Sequence, residues 1–414
     1  MFSLRAAPWG AVCVLFAASA SASTAPLALK AALRDLWTHS PQVQVADAEL
    51  RAAQARARAA AQPVYNPSIQ LEGENADVDR RTAGASLALD LSGKRNARMA
   101  QSDAEVRATE AAYALGRRDV ASQWLKAWVG VVLAREQSAL GQRRVTLMQR
   151  FDTLAAQRLK VGDIGSPERD LAALALGEAQ IQQASLSGQQ ADAEAALAMI
   201  DGEASRDLPD LPTGPPPDPD AFSAAPTPSR PELLRAQAEQ DRADAGVAVA
   251  RRAQRPDPTI TLTGGSVRSG ARTDRVIGIS VSMPIPIRNT GRADIEAAQA
   301  DADAAFASRR VALLRADASL AQASATYTAL RSATAALQQG RAGAFDERAR
   351  LLEKLWQAGE IGTSDYLMQL KQSLDTALAA VALKSQAWQA WFDYLTAAGR
   401  LVDWIENPST EATP

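Results

Sequence analysis

The distribution of proline constrains this chain more than any other feature. None lies between Pro67 and Pro167 or between Pro286 and Pro408, yet eight crowd into the stretch from Pro209 to Pro228. Proline removes a backbone donor and clashes inside a helix, so the two long proline-free intervals permit very long helices. The crowded stretch between them, Asp207–Pro231, reads as a linker between two halves.

The halves are copies of one another. Ser40-Pro41 opens a helical segment that ends at Tyr65-Asn66-Pro67-Ser68-Ile69, and Arg230-Pro231 opens another that ends at Arg255-Pro256-Asp257-Pro258-Thr259-Ile260. Gly93-Lys94-Arg95 and Gly162-Asp163-Ile164-Gly165-Ser166 follow in the first half. Gly291-Arg292 and Gly359-Glu360-Ile361-Gly362-Thr363 follow in the second. Matched landmarks are 190, 191, 198 and 197 residues apart, in one order with one modest insertion, which is the mark of an internal duplication.

Each repeat has the same coarse reading. A helix runs from about Leu29 to Val64, with a counterpart over Glu232–Gln254. Alternating segments then predict strands over Ser68–Glu72 and Ala83–Leu91, and over Thr259–Thr263 and Ile277–Met283. Polar loops, Asn75–Arg81 and Ser266–Arg275, join them into hairpins. Next come helices predicted over Asn96–Lys160 and Asp294–Gln357, the first on the order of 100 Å long at about 1.5 Å per residue. The Gly162 and Gly359 turns reverse the chain, Ser166 and Thr363 are the expected N-caps, and helices return over Glu168–Ile200 and Asp365–Leu401.

Composition agrees with this plan. Roughly a fifth of the 414 residues are Ala, the best helix former, and only 5% are aromatic, so helices packed side by side replace a bulky globular core. Trp124, Trp128, Trp356, Trp388 and Trp391 stand at helical spacing, which suits coiled-coil packing better than ligand contact. With 45 Lys+Arg against 47 Asp+Glu there is no basic excess of the kind nucleic-acid binding needs. Arg5, the apolar run Ala11–Ala18 and Ala20-Ser21-Ala22 form a secretory signal peptide, cleaved after Ala22. Cys13 lies inside that run and not at the cleavage point, so neither lipidation nor a thiol is expected in the mature chain. The expected domains are therefore a signal peptide (1–22), a first repeat (23–200), a Pro-rich linker (201–228), a second repeat (229–405) and a tail (406–414).

Strands of about ten residues match a tilted outer-membrane strand, but four cannot close a barrel, and lipid tolerates no unpaired edge. An eight-stranded dimer or a twelve-stranded trimer would satisfy both conditions. The doubled order of Ser40-Pro41, Asn66-Pro67-Ser68-Ile69, Leu89-Asp90-Leu91-Ser92-Gly93-Lys94-Arg95 and the two glycine turns resembles the outer membrane factor (TolC-like) family of efflux ducts, over nearly all of the mature chain. Gly93-Lys94-Arg95 with Arg98 is similar to its heavy-metal efflux (CzcC-like) branch.

That resemblance implies a mainly α fold with a small β part. Duplicated helical hairpins would build an α-barrel in the periplasm, and a homotrimer would seal a twelve-stranded barrel in outer-membrane lipid. It also implies a periplasmic adaptor (membrane fusion) protein, an inner-membrane pump of the RND type, and passive exit of heavy-metal cations. A drug or protein duct of the same fold and a non-channel periplasmic coiled-coil adaptor stay open.

No catalytic constellation or cofactor motif is visible, so no enzyme activity is expected. His39 is the sole His, beside Ser40-Pro41, and lacks the partners of a metal site or triad. In the family, acidic side chains ring the periplasmic constriction. The resemblance puts one at Asp365, with Met368 where a second is expected, while capping of the following helix is the competing role. Gly162, Ile164, Gly359 and Ile361 are the candidate adaptor-docking tips, the glycines also serving turn geometry.

Overall fold

The computed structural model describes residues 25–75, 77–202, 208–212, 214–218, 224, 229–339 and 345–406. The signal peptide and the tail beyond Glu406 lie outside the described residues. The first repeat contains α1 (Leu27–His39), α2 (Pro41–Ala60), β1 (Ser68–Asn75), β2 (Val78–Ala88), α3 (Lys94–Val161) and α4 (Ser166–Asp201). The second contains α5 (Pro231–Ala253), β3 (Thr259–Ser269), β4 (Arg272–Ser282), α6 (Arg292–Gln339), α7 (Phe345–Gln357), α8 (Thr363–Ala397) and α9 (Leu401–Glu406).

Several expected boundaries move. The single helix over Leu29–Val64 is two, α1 and α2, broken at Ser40 because Pro41 has no N–H to continue the ladder and sits instead at the first position of α2. The polar loops expected at Asn75–Arg81 and Ser266–Arg275 are largely strand. Only residues 76–77 and Gly270-Ala271 lie between the paired strands, so polarity at the strand tips did not mean loop. Ser166 and Thr363 are the first helical residues and not the N-caps, which are Gly165 and Gly362. The helix expected over Asp294–Gln357 is described as α6 and α7, with residues 340–344 outside the described set. The last helix stops at Ala397, and Gly399 at φ 69° turns the chain into α9.

The long helices pair through small and apolar side chains repeated every seven residues. On α3 the buried positions Gly141, Met148 and Ala155 face the buried positions Ala172, Ala179 and Leu186 of α4. A seven-residue period forces a left-handed supercoil, and small residues in it let the backbones approach closely. The α3 helix has 68 residues, hence a length of about 100 Å.

All five tryptophans named above are buried, four of them in one core at mid-length of the bundle. Trp124 and Trp128 stack there with centroids 6.2 Å apart. The Pro-rich segment is more than a spacer. Leu211 is buried in this core, Trp128 Nε1 donates to the Pro209 carbonyl at 2.9 Å, and Tyr327 Oη donates to the Pro217 carbonyl.

The strands form one antiparallel sheet in the order β1-β2-β3-β4, so β1 and β4 are its two edges. No described helix is long and apolar enough to cross a membrane.

Candidate functional site

Three regions place the chemistry-bearing residues: the sheet, its junction with the helices, and the helical tips.

The register assigns every strand residue to a face. Ile69, Ala85, Leu262 and Ile279 form one cross-strand row, followed by Leu71, Ala83, Gly264 and Ile277, with Leu87, Ile260 and Val281 on the other side. Side chains alternate along a strand, so all of these share one face. It is apolar and exposed to the extent of 82% at Ile69 and 85% at Ile277. The opposite face carries Ser68, Ser86, Thr261 and Ser280 in one row and Gln70, Gly84, Thr263 and Gly278 in the next. A sheet that is wet on one side and bare hydrocarbon on the other is the reverse of a soluble ribbon packed on a core. The apolar alternation continues past β4 through Met283, Ile285 and Ile287, all exposed, where Pro284 and Pro286 ended any sequence reading of a strand. The equivalent Leu91 is also exposed, and the Leu91 and Ile287 amides each donate to the carbonyl two residues back at 2.9 Å, the same tight turn in both repeats.

Below the sheet the two repeats are locked together. The Asp257 side chain, only 2% exposed, accepts from Tyr65 Oη at 2.8 Å and Ser92 Oγ at 3.0 Å, and pairs with Lys94 Nζ at 2.9 Å. Burial alone would raise its pKa, but the hydrogen bonds from Lys94, Tyr65 and Ser92 outweigh it and hold the carboxyl below its usual value. Asp90 accepts from the Lys94 and Arg95 amides, both at 2.8 Å, so the first free N–H groups of α3 are satisfied. Arg95 Nε donates to the Ala61 carbonyl at 2.8 Å, and an Arg98 Nη2 donates to that of Gln62 at 3.1 Å. The Leu89–Arg95 motif is therefore a junction device. Its buried partner, Asp257, is a residue that sequence reasoning did not select, although the matched Asn66-Pro67 and Asp257-Pro258 pairs marked the place.

At the far end, the turns after α3 and α7 have identical hydrogen bonding. Gly162, at φ 82°, donates to Leu159 O at 3.1 Å while Asp163 donates to Arg158 O at 3.0 Å. Gly359, at φ 74°, donates to Trp356 O at 3.0 Å while Glu360 donates to Leu355 O at 2.9 Å. These left-handed positions require glycine. Phe151 of the first repeat lies against Trp356 and Tyr366 of the second, with centroids at 4.6 and 5.0 Å, and burial, with a smaller contribution from the Glu353 charge, pushes the Tyr366 hydroxyl up to about 12. Ile164 and Ile361 are half-buried against this cluster; they do not stand free at the tip as the sequence suggested. Arg158 lies 4.6 Å over the Trp356 ring and donates to the Gln357 carbonyl at 3.2 Å, a further tie between the two tips.

Asp365 is exposed in the first turn of α8, where no side chain caps the helix, and among the described residues it makes no hydrogen bond or ion pair. Its counterpart Glu168 behaves differently: Oε2 accepts from the Gly165 amide at 3.0 Å. Capping explains Glu168 and does not explain Asp365. His39 ends α1 with its side chain 75% exposed beside Asp35, far from any site geometry.

Comparisons with known proteins agree with this geometry. The family model for outer membrane efflux proteins matches residues 32–203 and 228–400, one match per repeat. The cobalt-zinc-cadmium resistance protein CzcC of Cupriavidus metallidurans is 26% identical over 269 residues, which is 62% of this chain; the match spans 63% of the length of that relative. A membrane protein of Pseudomonas aeruginosa superposes with a TM-score of 0.75 at 19% identity, covering 96% of this chain and 99% of the other. The Campylobacter jejuni CmeC outer membrane channel gives 0.75 at 17% identity, covering 90% and 86%. The duplicated helical hairpins, the amphipathic four-stranded sheet and a family match covering both repeats lead to one conclusion: the chain belongs to the outer membrane efflux protein family.

Proposed function

We propose that three copies of this chain form the passive exit duct of a tripartite efflux system, with a twelve-stranded barrel above a periplasmic α-barrel. One observation carries the reading: among the described residues, a four-stranded sheet with an apolar outer face has both edges, β1 and β4, unpaired. Unpaired backbone groups in hydrocarbon cost several kcal/mol each, so the edges must be closed by identical neighbours. Three sheets give twelve strands, enough for an open lumen where eight would be filled by side chains.

A periplasmic adaptor would grip the tips around Gly162, Ile164, Gly359 and Ile361, and an RND-type pump in the inner membrane would supply the energy. The cargo is heavy-metal cations, a reading supported by the likeness to a cobalt-zinc-cadmium resistance protein. Asp365, presented without a partner at the tip, would form a ring of three carboxylates that concentrates cations at the periplasmic mouth.

The mass of the purified protein in detergent tests the assembly: three chains are expected, and a detergent-free monomer would overturn the duct. Cargo is tested separately, by the zinc, cobalt and cadmium tolerance of a deletion strain carrying the gene. Restored tolerance to drugs but to none of these metals would replace the metal reading.

A further inference from the structure

The outward face of the sheet does not stay apolar to its tip. Two residues beyond Leu71, Ala83, Gly264 and Ile277, the same face carries the row Gly73, Arg81, Ser266 and Arg275. Two residues further out come Asn75, Asp79, Arg268 and Thr273. The inward face of the same segment carries Glu72, Glu74 and Asp274 against Arg80 and Arg272, a mixed and slightly acidic set. The basic excess therefore lies on the lipid side alone, immediately above the hydrocarbon belt. Arg81 lies 3.4 Å from Asp79, whereas Arg268 and Arg275 are exposed and have no ion pair or hydrogen bond among the described residues.

With strands about 4.8 Å apart and about 3.3 Å of rise per residue, the Cα atoms of Arg81, Arg268 and Arg275 form a triangle with sides of about 8–10 Å. Three arginines against one aspartate leave two net positive charges per chain at this level. Guanidinium groups hold phosphate oxygens as two-pronged donors, and a protein-bound phosphate at this height would belong to the headgroup of a lipid whose chains lie along the belt below. The hairpin tips point away from the periplasmic helices, so the leaflet concerned is the outer one.

We infer that Arg81, Arg268 and Arg275 form a docking site for a phosphorylated glycolipid of the outer leaflet, its phosphates on the arginines and its acyl chains against Ile277, Leu71 and Leu262. The inference rests on the barrel reading above, and the experiment separates the two because assembly and lipid preference are read independently.

Oligomer purified in detergent is titrated with bisphosphorylated lipid A and with the same lipid stripped of phosphate, and bound lipid is counted by native mass spectrometry. Wild-type protein should bind the phosphorylated form at least tenfold more tightly. The R268Q/R275Q variant should lose roughly 10- to 30-fold of that affinity, at about fivefold per arginine near an anionic surface. The inward-facing pair R80Q/R272Q should leave it unchanged. Equal binding of the two lipids by wild-type oligomer would overturn the site without need of any variant. An equal loss in the inward-facing variant would also overturn it, as would complete displacement by millimolar inorganic phosphate, which would mark a free-anion site. Failure to form an oligomer at all would refute the barrel and not the arginines.

Discussion

A single arginine moved by one residue tests whether the register sorts the sheet into lipid and water faces. Val281 lies in the outward row between Ile279 and Met283, four residues from Ile277 and six from Ile287. At about 3.3 Å of rise and about 40° of tilt, the four residues from Ile277 to Val281 descend about 10 Å within the ladder. Val281 therefore sits about 10 Å below the outer border of an apolar band about 25 Å tall, close to its middle. An arginine at that depth costs about 2–4 kcal/mol, and three copies in one barrel cost about 6–12 kcal/mol. Ser280, its neighbour, pairs with Thr261 and points to the polar face, so Ser280→Arg should stay within about 0.5 kcal/mol per chain. The assay is urea unfolding of protein folded into short-chain lipid vesicles, supported by the temperature at which the detergent-resistant oligomer dissociates. A Ser280→Arg oligomer as weak as the Val281→Arg oligomer, or weaker, would refute the face assignment and the membrane barrel with it.

Asp257→Ala strands Lys94 beneath the sheet and should cost about 3 kcal/mol of oligomer stability, the low end for a broken buried pair because Lys94 is 19% exposed. Because the Asp257 carboxyl is held below its usual value when folded, its contribution is present above the unfolded pKa of about 3.9 and is lost as pH falls through the folded one. The stability gap between wild type and Asp257→Asn should accordingly close below about pH 4 in unfolding midpoints taken from pH 3 to 7. Gly265→Ala drives a Cβ into the Arg81 carbonyl oxygen across the sheet, well inside van der Waals contact, so the β2–β3 pairing must open; a loss of about 1–3 kcal/mol is expected, read by the same urea unfolding. Asp365→Asn should lower cation preference in planar bilayers at low salt while leaving oligomer stability unchanged, since its carboxylate caps nothing; unaltered conductance would return Asp365 to a merely solvated position.

Much of the candidate site is legible in the amino-acid sequence. Gly162 and Gly359 announced both turns because only glycine accepts their positive φ, and the matched spacing told which turns correspond. The junction was half legible. Leu89–Arg95 stood out as a motif, but its partner Asp257 is more than 160 residues away, and no local pattern reports a contact across that separation. At the tips, Ile164 and Ile361 looked exposed because the cluster that half-covers them is assembled from Phe151, Trp356 and Tyr366 on three different helices.

The chain by itself determined its elements and their duplication. Proline spacing set where helices could run, helical spacing of buried side chains pointed to coiled-coil packing, and two-residue alternation marked the strands. Only the tertiary structure decided which faces of the four strands coincide and that Met283, Ile285 and Ile287, past the end of β4, stay exposed. The physical reason is that a slip of one residue in the ladder turns a strand's whole apolar set to the other face, and the ladder pairs β2 with β3 across the entire length of α3 and α4.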